Sequence, residues 1–163
     1  MLKLEMAMKI AEIMRVILDD LKATDKKGAI QEMVEALVKS GFIKAGNVDQ
    51  VVTALMDREE LGSTGIGRSV AVPHAKDDSV GELVGAFARS KKGVSFDSLD
   101  GEPVHVLFML LSSRASSDLH LVALAYISRL VREDQFVRFL REAKTKQDIL
   151  DIFTDSDARL SDS

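Results

Sequence analysis

The chain has no cysteine and no tryptophan, and only one of its 163 residues is a tyrosine. The absence of cysteine excludes disulfides, thiolate metal sites and thiol nucleophiles. It is also compatible with a reducing cytoplasm. The scarcity of aromatic rings that could stack on bases, together with a net charge of −4, argues against a nucleic-acid-binding surface.

The chain also lacks long apolar runs and linkers. Charged residues interrupt the first 17 positions, unlike the apolar core of a signal peptide. The uncharged apolar runs are too short to span a bilayer. No segment rich in proline, glycine or serine divides the sequence. We therefore expect one cytoplasmic domain over residues 1–163, without direct membrane insertion.

Two segments repeat apolar residues at the spacing of an amphipathic helix, and both are predicted helices. Thr24 or Asp25 can cap the start of the first, and Gly41 can end it. The second has Asn47 at the N-cap position and Gln50 three residues later, the pattern of a capping box. The stripes are Ile30, Met33, Val34, Leu37 and Val38 in the first segment, and Val48, Val51, Val52, Leu55 and Met56 in the second.

Strand-like segments occupy the middle of the chain. Val104–Leu111 is almost continuously apolar, as expected for a central strand covered on both faces. The residues just before it, Asp100–Pro103, have the composition of a turn. The other candidate strands are Ser69–Val72, Leu83–Ala88 and Val94–Phe96, whereas Val16–Leu18 is either a strand or a buried extended piece.

Further helical segments are predicted before and after these strands along the chain. Leu119–Val131 is apolar nearly all round, which indicates a buried helix. Shorter helices are expected at Met6–Met14, around Phe136–Leu140 and around Ile149–Phe153. The sequence thus predicts an α/β fold, a mixed sheet of about five strands flanked by helices on both sides. Its core would cover about residues 9–154, with a flexible tail over 155–163.

The segment between residues 58 and 74 concentrates the polar chemistry of the chain. It joins Arg58 to a glycine-rich stretch and ends on His74 after an apolar run. Fixed positive charge, backbone N–H groups and a neutral imidazole are the parts of a phosphate cradle with a nitrogen nucleophile. The candidate phosphate-loop residues are Ser63, Thr64, Gly65 and Gly67.

Each of these residues also has a purely structural explanation. His74 could be an ordinary surface histidine, and the glycine-rich stretch a plain connection between a helix and a strand. Arg58 could simply complement the end of its helix. His120, on the inward face of the buried helix, could be a core residue or lend an N–H to a phosphate. His105 is interpreted as structural, and the three separated histidines do not have the spacing of a metal site.

Taken together, these residues resemble the IIA domains of the bacterial phosphoenolpyruvate-dependent phosphotransferase system, of the fructose, mannitol and nitrogen-regulatory class. The resemblance runs from about Lys9 to Thr154. It rests on Arg58-Glu59 with Ser63-Thr64-Gly65-Ile66-Gly67, on Ala71-Val72-Pro73-His74, and on His120-Leu121 with Leu124. The intervals of 16 residues from Arg58 to His74 and 46 from His74 to His120 fit that family.

The resemblance implies a phosphotransferase component and a role for each residue. His74 would accept a phosphoryl group from an HPr-like carrier on Nε2, Arg58 would bind the phosphoryl oxygens, and His120 would hydrogen-bond at the site. Neither a metal nor an organic cofactor would be required. The residues around Gly62 look most like the nitrogen-regulatory branch, which implies a phosphocarrier that regulates target proteins. A sugar-specific IIA component passing phosphate to a IIB subunit, and a non-catalytic interaction module, are the alternatives.

Overall fold

The computed structural model describes residues 8–161, which form six α-helices, two short 3-10 helices (Ala45–Asn47 and Arg114–Ser116) and six strands. The helices are α1 (Ile10–Ile13), α2 (Lys26–Lys39), α3 (Val48–Glu60), α4 (Ser117–Val131), α5 (Asp134–Glu142) and α6 (Lys146–Ser161). The strands are β1 (Met14–Leu18), β2 (Gly65–Gly67), β3 (Val70–Ala71), β4 (His74–Lys76), β5 (Leu83–Val94) and β6 (Val104–Ser112).

All six strands belong to one mixed sheet. Its order is β1-β5-β6-β3-β2, and β4 pairs with β6 beyond the end of β3. Strands β3 and β4 both run parallel to β6, whereas β5 and β2 form antiparallel pairs with β6 and β3. The predicted α/β fold is confirmed, with one strand more than the approximate number expected.

Helices cover both faces of the sheet, and strand β6 shows why. Its side chains alternate, so that Leu107, Met109 and Leu111 pack into the core under α2 and α3. Phe108 and Leu110 face the opposite core, under α1, α4, α5 and α6. A strand buried on both faces needs a continuous apolar run, which is what the sequence pattern indicated.

The cap predictions for α2 and α3 had different outcomes. Asp25 caps α2 by accepting a hydrogen bond from the Gly28 amide at 3.2 Å, and Gly41 follows the helix with φ +83°. Asn47 does occupy the N-cap position of α3, but its side chain caps nothing. Gln50 instead donates to the carboxylate of Asp77 at 2.9 Å, so the predicted capping box is wrong. The side chain of Gln50 thus bonds to Asp77, in the loop that follows β4, and not to the backbone at the start of its own helix.

Both ends of the chain differ from expectation. The predicted helix over Met6–Met14 is shorter within the described residues, because Met14 already belongs to β1, and Met6 lies outside them. Residues 155–161, predicted as a tail, continue helix α6, and Asp157 is buried there. The last two residues of the predicted tail, 162 and 163, lie outside the described part.

Candidate active site

His74 lies where the pairing along the side of β6 that faces away from β5 is interrupted. Strand β3 ends at Ala71, and pairing with β6 resumes at His74, which is opposite Leu110. Pro73 has no N–H to donate to the ladder, although its carbonyl still accepts from the Leu110 amide at 3.0 Å. The imidazole therefore begins a strand, whereas the sequence suggested that it ends one.

The interruption supplies a hydrogen-bond partner for the ring. The Val72 carbonyl lies 2.8 Å from Nδ1 of His74. A carbonyl oxygen can only accept, so Nδ1 carries the hydrogen, and in the neutral ring Nε2 keeps its lone pair. The side chain of His74 is only half-buried, so Nε2 belongs to a ring that a second molecule can approach.

The surroundings favour the neutral form of this ring. Burial is the largest influence and lowers the pKa of His74 below its ordinary value. The Val72 carbonyl and the Glu59 carboxylate act in the opposite direction, while the charges of Arg58 and Lys76 lower the pKa further. A neutral imidazole at pH 7 is the form that can act as a nucleophile.

His120 lies beside His74. The centroids of the two rings are 5.8 Å apart and their planes are tilted by 59°. His120 comes from α4 and is buried, and its Nδ1 lies 2.6 Å from the hydroxyl of Ser112 at the end of β6. Burial, with the charges of His74 and Lys76, lowers the pKa of His120 to about 4.

Arg58 approaches from the other helical layer. It lies in the last turn of α3, is half-buried, and donates from Nη1 to the Gly62 carbonyl at 2.9 Å. Its charge lowers the pKa of His74, although burial is the larger influence. The structure thus brings His74 of β4 and His120 of α4 side by side and places Arg58 in the helix that packs against β4.

Of the four phosphate-loop candidates, Thr64 is the one bonded next to His74, because its carbonyl accepts from the Val72 amide at 3.0 Å. Gly65 and Gly67 form β2, paired with Ala71 and Val70 of β3, so they run along the strand away from His74. The Gly65 amide is bonded to the Ser63 hydroxyl at 3.0 Å, and a side chain at Gly65 would meet the Ser98 hydroxyl at 2.5 Å. The structure therefore does not bring these glycines to the ring.

Comparison with known proteins identifies the family. Residues 10–156 match the family model described as "Phosphoenolpyruvate-dependent sugar phosphotransferase system, EIIA 2". The chain belongs to this family. The resemblance seen in the sequence is thereby confirmed.

Relatives of this IIA protein come from two groups. It is 38% identical over 152 residues to the "PTS system fructose-specific EIIABC component" of Bacillus subtilis, covering 92% of this chain but 24% of that protein. It is 37% identical over 136 residues to a "Nitrogen regulatory protein" of Bradyrhizobium diazoefficiens, covering 83% of this chain and 87% of that one. The crystal structure of IIA-Ntr from Neisseria meningitidis superposes with a TM-score of 0.77 at 30% identity, covering 88% and 98% of the two chains.

Glu59, the neighbour of Arg58, is a buried charge. It lies in the last turn of α3 and is only 5% exposed. Its carboxylate accepts from the amide of Thr64 at 3.1 Å and from the Thr64 hydroxyl, and pairs with Lys26 at 3.2 Å. Its position was readable, because Glu59 continues the stripe of Val52 and Leu55 at seven and four residues.

Two further properties concern residues 8–161 only. No group of three or more His, Asp and Glu side chains in this range is arranged to hold a metal ion. No helix in the same range combines the length and the apolar character needed to cross a bilayer.

Proposed function

We propose that this IIA protein is a phosphohistidine carrier that accepts a phosphoryl group on Nε2 of His74 from an HPr-like protein. The observation that carries this proposal is the hydrogen bond between Nδ1 of His74 and the Val72 carbonyl. It directs the lone pair of the neutral ring to Nε2, in the neighbourhood of a guanidinium and of a second imidazole. Membership of the family supports the same reaction class.

The reaction needs positioning and charge stabilisation more than covalent machinery. The lone pair of Nε2 attacks phosphorus while the bond from phosphorus to the donor's histidine nitrogen breaks. The donor ring, protonated on its other nitrogen, keeps that electron pair and leaves as a neutral imidazole. Positive charge that develops on the ring of His74 is stabilised through Nδ1–H by the Val72 carbonyl. The guanidinium of Arg58 is suited to the phosphoryl oxygens because its five N–H donors form a planar fork.

Phosphorylation would change the surface around the site. A phosphoryl group adds about −1.5 to −2 charges. Leu61, after α3, and Leu121, next to His120, are 85% and 57% exposed. A partner that packs on these leucines would therefore experience the new charge directly. This favours a carrier whose phosphorylation state regulates target proteins, as in the nitrogen-regulatory branch.

The sugar-transport branch is the second candidate. The similarity to a fructose-specific protein, at 38% identity over 92% of this chain, favours it. In that case the phosphoryl group would pass from His74 to a IIB subunit. The two candidates share the first step and differ in the acceptor.

A phosphorylation assay tests the first step. The protein is incubated with phosphoenolpyruvate, enzyme I and an HPr-type carrier, and acid-labile phosphate is measured. We expect one phosphate per chain, abolished in His74→Ala and retained in His105→Ala, the matched histidine control. Label that persists in His74→Ala, or no label with cognate donors, contradicts the proposal and favours a non-catalytic interaction module.

The phosphorylated protein then separates the two branches. Transfer of the label to a IIB subunit encoded by the same organism supports sugar transport. Retention of the label, with a target protein that binds only one of the two phosphorylation states, supports regulation.

A further inference from the structure

Ser112 is the buried neighbour of His120, and the sheet fixes its orientation. It is the last residue of β6, opposite Lys76 of β4 on one side and Leu83 of β5 on the other. Side chains alternate along β6, so Ser112 faces the same layer as Phe108 and Leu110, the layer that contains α4. Its side chain therefore meets His120 of α4.

The hydroxyl of Ser112 has one hydrogen to donate and lone pairs to accept. Within the described residues its hydrogen-bond partner is Nδ1 of His120, at 2.6 Å. If Nδ1 donated to the hydroxyl, the buried hydroxyl hydrogen would be left without an acceptor. If the hydroxyl donates, only acceptor capacity stays unused, and buried acceptors are left unsatisfied more often than buried donors. The second arrangement is favoured.

We infer that the hydroxyl of Ser112 donates to Nδ1 of His120 and so holds the neutral ring as its Nε2–H tautomer, which makes His120 a hydrogen-bond donor. The two neighbouring rings then have opposite tautomers, because Val72 holds the hydrogen of His74 on Nδ1. One ring offers a lone pair and the other an N–H. Ser112 is thus a positioning residue for the phosphoryl group on His74, an assignment that rests on the proposed function.

The tautomer decides the role of His120 because the ring is neutral at pH 7. Burial and the neighbouring His74 and Lys76 lower its pKa to about 4. An imidazolium would donate from both nitrogens, but a neutral ring donates from one only. With the hydrogen on Nδ1, the unprotonated Nε2 would repel phosphoryl oxygens.

Nitrogen-15 NMR of the unphosphorylated protein tests the tautomers independently of any phosphoryl transfer. The chain has three histidines. Nδ1 of His105 lies 2.8 Å from the Ser90 carbonyl, so this ring is an internal reference for the Nδ1–H form. At about pH 8, where an ordinary imidazole is neutral, we expect Nδ1–H for His74 and His105 and Nε2–H for His120. The Nδ1–H form at His120 would overturn the inference.

A variant series connects the tautomer to transfer. In Ser112→Ala, His120 should show a mixture of tautomers, and phosphorylation of His74 should slow by about 3- to 10-fold, less than the loss of a whole transition-state donor. Ser112→Thr keeps the hydroxyl and should restore the Nε2–H signal. Ser90→Ala removes another fully buried strand serine and should change neither readout. An unaltered Nε2–H signal in Ser112→Ala would refute the role of the serine.

Replacing His120 separates this inference from the proposed function. Glutamine places an amide N–H near the position of Nε2, whereas asparagine places one near Nδ1. We expect His120→Gln to transfer faster than His120→Asn, and Ser112→Ala to add no further loss in the His120→Gln background. Equal rates in the two His120 variants would contradict the donor role. Failure of all variants and of the wild type to label would refute the proposed function, while the NMR result would still stand on its own.

Discussion

At the scale of single residues, the charge state and the partners of each ionisable group at this site depend on how far the group is buried. His120 is 3% exposed and finds a neutral hydroxyl as its partner, whereas Glu59 is 5% exposed and finds a cation and a threonine. A buried imidazole can remain neutral at little cost, but a buried carboxylate needs compensation. The two residues therefore respond differently to pH and to mutation.

The stability of the protein should fall in mild acid because of His120. Its pKa is about 4 in the folded protein and near 6.5 when unfolded, so between these values the unfolded chain binds more protons. The contribution of His120 to the free energy of unfolding is therefore fully present above about pH 6.5, and it is lost as the pH falls towards 4. We expect His120 to contribute a loss of about 2 kcal/mol between pH 7 and pH 5.

Urea unfolding at the two pH values measures this loss. His120→Gln carries an amide that does not titrate, so its difference between pH 7 and pH 5 should be smaller by that amount. An equal pH dependence in the two proteins would show that His120 is not the group responsible.

Glu59 should be important for stability although it is charged. Glu59→Ala leaves Lys26, whose side chain is 13% exposed, without this carboxylate and removes the acceptor of the Thr64 amide. Breaking such a buried pair costs about 3 kcal/mol. Glu60→Ala, at the exposed neighbouring position, should change the free energy of unfolding by less than about 0.5 kcal/mol. Equal effects of the two substitutions in denaturant unfolding would contradict the assigned contacts.

The sequence says more about which residues form the candidate site than about their surroundings. Arg58, His74 and His120 were predicted from their types and from intervals that fit the family, and the structure places the two histidines side by side. The ion pair that compensates the buried charge of Glu59 could not be found in this way, since Lys26 lies 33 residues earlier and reaches Glu59 only in the folded chain. The roles of Val72 and Ser112 depend on a strand interruption and on a side-chain direction, which a pattern of residue types does not contain.

At the scale of elements, the turn between β2 and β3 has an unfavourable backbone. Arg68 and Ser69 have φ of +55° and +73°, values that glycine or asparagine adopts more readily. Contacts of the Arg68 guanidinium at the end of α4 offset this unfavourable backbone conformation. The guanidinium donates to the Val131 carbonyl at 2.8 Å and pairs with Asp134 at 2.9 Å. The hairpin thus holds an arginine at a helix C-terminus.

Glycine at these two positions should have different effects. Ser69→Gly relieves the left-handed conformation and should raise the free energy of unfolding by about 0.5–1 kcal/mol. Arg68→Gly gains the same backbone freedom but loses the bonds to α4, so its net effect should be close to zero. Thermal unfolding of both variants compares them directly. A larger gain for Arg68→Gly would show that the bonds to α4 contribute nothing.

Element types were more predictable than element ends. The stripes of α2 and α3 and the apolar run of β6 predicted three elements correctly. An element that buries one or both of its faces leaves a long, regular pattern of apolar residues in the sequence. Strand β5 runs from Leu83 to Val94 with an irregular register after Arg89, so it extends the predicted piece Leu83–Ala88 but contains only Val94 of the predicted piece Val94–Phe96. It includes the fully buried Arg89, whose Nε donates to the Asp19 carbonyl at 2.8 Å. A buried arginine whose Nε and Nη1 donate to distant carbonyls, while Nη2 has no hydrogen-bond partner within the described residues, is not visible in a local pattern.

At the scale of the whole molecule, Asp157 joins the last helix to the first. Its carboxylate accepts from the amides of Ile10 and Ala11 at 2.9 and 3.0 Å and from the hydroxyl of Tyr126 at 2.5 Å. The negative charge lies at the start of α1, and burial, together with the hydrogen bond to Asp157, raises the pKa of Tyr126. The segment that composition presented as a polar tail is therefore part of the packed molecule.

Asp157→Ala should destabilise the folded chain by about 3 kcal/mol, because it leaves two amides and a buried hydroxyl without their acceptor. Asp155→Ala, at an exposed position of the same helix, is the matched control and should have little effect. Denaturant unfolding measures both. Asp157→Ala with the stability of the control would mean that α6 is indeed dispensable beyond residue 154.

The interruption at Val72 and Pro73 has a consequence for how the site tolerates sequence change. The acceptor of His74 is a main-chain carbonyl, which is present whatever amino acid occupies position 72. The hydroxyl next to His120 belongs to a side chain, so one codon change at position 112 removes it. Genetic drift can therefore erode the donor while leaving the nucleophile intact. Val72→Ala should therefore keep the Nδ1–H form of His74, whereas Ser112→Ala should lose the uniform Nε2–H form of His120.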